Sequence, residues 1–163
     1  MVTHKDGNSK NNEPESGEGF YTMKGYALCS PEELTSSMED YLEMVCRMEA
    51  EGETIRVSTL AASLHVRPSS ASKMLNNLRE AGYIDFKKYG AILVTDKGHE
   101  EGGYLLHRHK VLHDFFCMLN HTDNELEQVE KIEHFINRRT VGNMELLLPV
   151  LTRITGNIGQ SIV

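Results

Sequence analysis

The stretch from Thr54 to Val94 constrains this chain more than any other, because its turn and cap signals leave little freedom in how it folds. Thr54-Ile55-Arg56-Val57 reads as a short strand, and Ser58 can cap a helix through Leu64 with Leu60, Ala61 and Leu64 turned inward. His65-Val66-Arg67 is a turn, and Pro68 is suited to the first position of a helix running from Ser69 to Ala81. Ala71, Leu75 and Leu78 then fall at i, i+4 and i+7, the spacing of one buried stripe. Gly82 closes that helix. Tyr83–Phe86, Lys87-Lys88-Tyr89-Gly90 and Ala91–Val94 read as a β-hairpin. Helix, turn, helix and hairpin in this order are the parts of a winged helix-turn-helix.

The flanks add helices and no further sheet. Residues 1–29 are polar and rich in Gly, Asn, Glu and Ser, and read as a flexible extension. A first helix can start at the capping box Ser30–Glu33 or at Ser36–Glu39, runs to Ala50 and stops at Gly52. Thr95 and Asp96 can cap a long helix reaching Leu119, locally weakened by Gly98, Gly102 and Gly103. Thr122–Glu125 is another capping box, opening a helix to Arg139. A short last helix is expected from Asn143 to Pro149. The expected fold is mainly α with a small β-hairpin wing. Its parts are a flexible extension (1–29), a winged helix-turn-helix domain (30–97) and a helical domain (98–163).

Charge separates these parts. The net charge is −7, yet Thr54–Gly98 holds seven basic residues against three acidic ones. With the stripe buried, Ser69, Ser70, Ser72, Lys73, Asn76 and Asn77 face outward from the second helix of the motif. They are small or amide side chains that can enter a major groove, with one cation for phosphate. Arg67 stands at that helix's N-terminus, where backbone N–H groups favour an anion, and Lys87 and Lys88 stand at the wing tip. The only basic segment of the chain therefore coincides with its helix-turn-helix, and double-stranded DNA is the expected partner. Cys29, Cys46 and Cys117 show no CxxC spacing, which speaks against a disulfide framework and a zinc–thiolate site. Met1–Glu18 contains no apolar segment of secretory type and no apolar run would span a bilayer, so a cytoplasmic protein without membrane contact is expected.

The acidic remainder carries a second signal. Asp40 and Glu43 lie at i and i+3 on the first helix. Glu130, Glu133 and His134 lie at i, i+3 and i+4 on a later one, and His109 sits on the long helix between. Several carboxylates share a pocket only with a cation to neutralise them, and oxygen and imidazole donors suit manganese or ferrous iron. The same spacing also describes solvated helix faces, and the residues alone leave both readings open. No HExxH, nucleophile–base pair or glycine-rich phosphate loop points to catalysis or to a small organic substrate.

Ser37–Glu43, Val57–Leu64, His65–Met74, Leu93–Gly98, Arg108-His109 and Val129–His134 together resemble the manganese transport regulators, a branch of the diphtheria toxin repressor family. The resemblance covers Ser36–Leu148. It implies a homodimer that binds operator DNA when loaded with metal and represses metal-uptake genes, with residues 30–97 as the DNA-binding domain and residues 98–163 as the metal-binding and dimerisation domain. It places the family's ligand set on Asp40, Glu43, His109, Glu130, Glu133 and His134, holding one or two Mn2+ ions. Oxygen donors at Asp40 and Glu130, where the iron branch has methionine and cysteine, favour manganese over Fe2+ or Zn2+. The other readings are an iron- or zinc-sensing repressor on the same scaffold, a winged-helix regulator sensing an organic ligand, and a helical metalloenzyme. This sequence departs from the branch at Phe135, where a second histidine is usual, and in a shortened loop at Asn120–Asn124. His113 could supply an extra ligand.

Overall fold

The computed structural model describes residues 34–86 and 90–158. In chain order these form α1 (Ser36–Ala50), α2 (Val57–Ser63), α3 (Pro68–Glu80), β1 (Ile84–Phe86), β2 (Ile92–Val94), α4 (Asp96–Asn120), α5 (Leu126–Ile132), a 3-10 turn (Glu133–Phe135) and α6 (Arg138–Ile158). The box at Ser30 and the wing-tip Lys87 and Lys88 lie outside the described residues, as does the 1–29 extension. Among the described residues no helix is long and apolar enough to cross a membrane.

The winged motif forms around one apolar core. Leu42 and Val45 of α1, Leu60 of α2, the stripe Ala71, Leu75 and Leu78 of α3, Ile84 and Ile92 of the hairpin and Leu105 of α4 are all buried in it. Each large aliphatic side chain withdrawn here contributes roughly 1.5–3 kcal/mol. The hairpin is antiparallel, with Ile84 paired to Val94, Asp85 to Leu93 and Phe86 to Ile92. The chain enters α1 through Thr35, whose hydroxyl accepts from the Met38 N–H at 3.3 Å, so the helix starts at Ser36.

Several local expectations give way to stronger interactions. Thr54–Val57 forms no strand: Ile55 is buried and accepts one bond from the Ile92 N–H at 3.0 Å, but Val57 is drawn into α2. The cap responsible is Thr59, which accepts from the Arg56 N–H at 3.0 Å, rather than Ser58. Two of the three α4 glycines, Gly98 and Gly102, are sites of close approach; Gly103 faces open space. A Cβ at Gly98 would lie 2.0 Å from the Tyr83 carbonyl oxygen, and one at Gly102 would lie 2.2 Å from Cys46 Sγ. Only glycine lets α4 pack this near the wing and α1.

The expected helix from Thr122 to Arg139 is shorter and divided. Thr122 donates to the Glu125 side chain at 2.7 Å, and Asn124 Oδ1 accepts from the Leu126 N–H at 3.1 Å, which delays α5 to Leu126. After Ile132 the chain tightens into the 3-10 turn. Ile136 is then extended, and Asn137 Oδ1 accepts from the Thr140 N–H at 2.9 Å to cap α6. An asparagine able to cap competes with helix continuation, and here the cap wins. α6 also runs on through Pro149, past the expected stop; Pro149 and Glu145, whose carbonyl loses its helix donor, are both exposed.

Candidate metal centre and nucleic-acid face

Three elements meet beside the core of α1. Its inward face carries Leu42 and Val45, and the adjacent face carries Asp40 and Glu43 towards α4 and the 3-10 turn. α4 brings His109, α5 ends near the site with Glu130, and the 3-10 turn presents Glu133 and His134. Two donor triads result: Asp40, Glu133 and His134, and Glu43, His109 and Glu133. Within each triad the ligand atoms lie within 4.8 Å of one another, and Glu133 belongs to both. His109 Nδ1 is 3.2 Å from Glu133 Oε2, 3.8 Å from Glu43 Oε1 and 3.8 Å from Glu130 Oε1. His134 Nε2 is 2.9 Å from Asp40 Oδ1. Five of the six sequence-derived candidates therefore meet in the two triads, with Asp40 half-buried on the solvent side; Glu130 stands in neither triad, is 58% exposed and approaches only His109.

Burial makes the cluster electrostatically tense. Glu133 is 1% exposed and Glu43 7%. Burial, then the charge of Glu133, pushes the Glu43 carboxyl above its ordinary range, against the pull of His109 and Arg47. The hydrogen bond to Glu133 raises His109, with burial opposing. Hydrogen bonds to Asp40 and then Glu39 push His134 up to about 10. Two acids crowded away from water, beside imidazoles that hold protons against them, form a donor set that a divalent cation would neutralise. The set contains carboxylate oxygens and ring nitrogens only, and so fits a hard to borderline divalent metal. Cys46 is buried in the core and its thiol is raised to about 11 by burial, while Cys117 is free and half-buried. His113 faces Cys117, Nε2 to Sγ 3.6 Å, and stands in neither triad. Phe135 is 63% exposed.

Sequence reasoning missed three charged neighbours. Glu39 Oε2 accepts from His134 Nδ1 at 2.7 Å and from Arg108 Nη2 at 2.7 Å. Arg47 reaches Glu43 at 2.6 Å. For Glu39, burial is the largest single effect and raises it, but the bonds from His134 and Arg108 together hold its carboxyl below the ordinary value. Glu39 and Arg108 each adjoin a candidate ligand in sequence, next to Asp40 and His109. That adjacency was the available signal.

The helix-turn-helix presents the expected outer face. The turn between α2 and α3 holds His65 at φ 53°, a left-handed conformation that reverses the chain tightly. Arg67 is extended and Pro68 opens α3. Arg67, Ser69, Ser70, Lys73 and Asn76 are exposed, and Ser72 and Asn77 are half-buried. Arg79 stacks on Phe86 of the wing, 5.4 Å from the ring centre, and Lys97 lies 4.3 Å from the ring centre of Tyr83.

A winged helix whose first helix also lines a carboxylate–histidine cluster joins a DNA-binding motif to a metal-type donor set, the parts of a metal-responsive transcriptional regulator. The family model described as "Iron dependent repressor, N-terminal DNA binding domain" matches residues 33–92. The HTH-type transcriptional regulator MntR of Shouchella clausii (strain KSM-K16) is 38% identical over 104 residues, covering 63% of this chain and 73% of that protein. That of Bacillus subtilis (strain 168) is 34% identical over 108 residues, covering 66% and 76%. The solved structure of the manganese regulator SloR aligns with a TM-score of 0.63 at 25% identity, over 71% of this chain and 55% of that one. The metal-dependent transcriptional regulator MtsR shares the fold, with a TM-score of 0.64 at 23% identity, again over 71% and 55%. The chain thus spans little more than half the length of these two solved structures. It belongs to the diphtheria toxin repressor family, in its manganese-regulator branch.

Proposed function

We propose that this protein is a manganese-dependent repressor that binds operator DNA as a homodimer, with Asp40, Glu43, His109, Glu130, Glu133 and His134 holding one or two Mn2+ ions per subunit. The observation that carries this reading is the pair of oxygen-and-nitrogen triads sharing Glu133, built from α1 of the DNA-binding half and from α4 and the 3-10 turn. Manganese accepts such a donor set, and the relatives' names agree with it. Metal bound at both triads would tie α1 to the helical half. Arg67, Ser69, Ser70, Ser72, Lys73, Asn76 and Asn77, with Lys87 and Lys88 of the wing tip, are the proposed DNA contacts. Leu146, Leu147 and Val150 on α6 are exposed, as are Leu119 and Leu126, which supports dimerisation through this end. Two recognition helices on adjacent half-sites would then stand roughly 34 Å apart.

Metal would act by linkage. An ion that holds the ligands of α1 and of the turn together removes motion that DNA would otherwise have to freeze out, so metal and operator strengthen each other reciprocally. The test is binding to a palindromic promoter duplex titrated with manganese, ferrous iron and zinc against a chelated control. Tight binding with manganese alone is expected. Tight binding with iron or zinc alone would move the protein to a different metal, and equal binding under chelation would overturn the metal switch.

A further inference from the structure

Glu39 stands in neither donor triad, yet it is the carboxylate of α1 most tightly held from two sides. Its Oε2 accepts from His134 Nδ1 at 2.7 Å and from Arg108 Nη2 at 2.7 Å. Arg108 comes from α4 and is 3% exposed. Its Nη2 also lies 3.4 Å from His134 Nδ1, and its Nε has no hydrogen-bond partner. The other ring nitrogen of His134, Nε2, lies 2.9 Å from Asp40 Oδ1.

An imidazole binds a metal through one nitrogen, and the partner of the other nitrogen decides which one. A carboxylate receiving the Nδ1 proton leaves Nε2 to face Asp40. Arg108 keeps that carboxylate in place, because a swing of Glu39 would leave a buried guanidinium without its counter-charge. Glu39 is itself unsuited to ligate through Oε2, which already accepts two hydrogen bonds.

Resting on the reading of the two triads as metal sites, we infer that Glu39 is a positioning residue. Held by Arg108, it fixes His134 with Nε2 towards Asp40 and thereby sets the affinity of the Asp40–Glu133–His134 triad, leaving the Glu43–His109–Glu133 triad unaffected. The consequence is selective: one ion depends on Glu39 and the other does not.

The experiment compares the full chain with Glu39→Gln, Glu39→Ala/Arg108→Met and His134→Ala. The paired variant removes the cation that Glu39→Ala alone would strand. Manganese isotherms are read from the paramagnetic resonance of the free ion, and the His134 ring is read by 15N NMR of the zinc-loaded chain. In the paired variant one step of the isotherm should weaken by about ten- to a hundredfold, the range for losing a partner behind a metal ligand. The other step should be unchanged, and His134 should populate both tautomers instead of one. Glu39→Gln keeps an oxygen for the Nδ1 proton and should recover most of the affinity. An unchanged isotherm with a single tautomer in the paired variant overturns the positioning role, provided that His134→Ala does lose a step. A Gln variant as weak as the paired one also overturns it, since charge alone would then be responsible. If His134→Ala binds as the unaltered chain does, the metal reading itself fails and Glu39's role fails with it.

Discussion

Glu133 is the residue whose loss should be felt twice. It is 1% exposed, it bonds His109 at 3.2 Å, and it belongs to both triads, whereas Asp40 and Glu43 belong to one each. At free manganese a hundredfold above the dissociation constant, each ion stabilises the folded chain by about 2.7 kcal/mol, so two contribute about 5.4. Loss of a direct ligand should weaken an ion at least as much as loss of a partner behind one, about ten- to a hundredfold. At the same manganese concentration a weakened ion then contributes only about 0.4–1.4 kcal/mol. Glu133→Gln weakens both ions and leaves about 0.8–2.8 kcal/mol in all, while Asp40→Asn or Glu43→Gln weakens one and leaves about 3.1–4.1. At roughly 3 °C per kcal/mol for a chain of this size, manganese should raise the melting temperature by about 16 °C in the unaltered protein. The same conversion gives about 9–12 °C in either single-triad variant and about 2–8 °C in Glu133→Gln. Calorimetric melts with and without manganese, at one protein concentration, measure this. A Glu133→Gln shift as large as that of Asp40→Asn would refute the sharing of Glu133.

Three further outcomes follow from the same geometry. Lys73→Ala, on the exposed face of α3, should weaken DNA binding evenly across sequences and lower the salt slope by about 1, whereas Asn76→Ala should cost about 1–3 kcal/mol at particular bases only; salt-dependent binding to a set of duplexes separates the two. Gly98→Ala should destabilise more than Gly102→Ala in urea unfolding. Its Cβ meets a backbone oxygen at 2.0 Å, while Gly102's meets a cysteine side chain that can turn away, an overpacking cost of about 1–3 kcal/mol. Manganese uptake should release protons, measured with an indicator dye, and should weaken as pH falls, because His109 and His134 are both raised and hold protons that a metal must displace. For the metal-free chain the sign is opposite: protonated His134 stabilises it fully below the unfolded value near 6.5, and this is lost as pH rises through about 10.

The winged half was legible because its signals are local. Pro68 opens α3, the stripe of Ala71, Leu75 and Leu78 is buried as the period requires, and Thr95 caps α4 by accepting from the Gly98 N–H at 3.1 Å. What the sequence hid depends on contacts made across the fold. Gly98 and Gly102 read as helix weakeners until Tyr83 and Cys46 are seen against them. Val57 is β-branched and reads as strand until the Thr59 cap claims it. The break at Ile136 turns on Asn137 acting as a cap, one of several roles open to an asparagine. The six candidate ligands were legible as spacing, but spacing could not separate a pocket from a solvated face; that depends on α1, α4 and the 3-10 turn bringing five of them together, with Glu43 and Glu133 buried. Glu39 and Arg108 offered only their adjacency to Asp40 and His109, because a buried ion pair between residues 69 apart leaves no local pattern of its own.

The distribution of close contacts also locates where a bound metal has leverage. α1 and α4 meet at Gly102 and Cys46 with no room for a Cβ, and the wing meets α4 at Gly98 in the same way. Packed interfaces of that density resist sliding, so the distance from Asp40 and Glu43 to His109 is set by the fold and not by an ion. The 3-10 turn is held differently. It carries Glu133 and His134 but sits between the end of α5 and the extended Ile136, and it is fastened to α1 by the polar bonds of His134 to Asp40 and Glu39. Beyond it begins α6, which bears the exposed Leu146, Leu147 and Val150. An ion shared through Glu133 would therefore add most of its constraint to the turn. α6 needs no such tie, because it already packs along α4, where Arg138 meets Glu101 at 2.6 Å and lies 3.5 Å from the ring centre of Tyr104; the segment an ion would hold is the turn itself, against the helix that packs on α3.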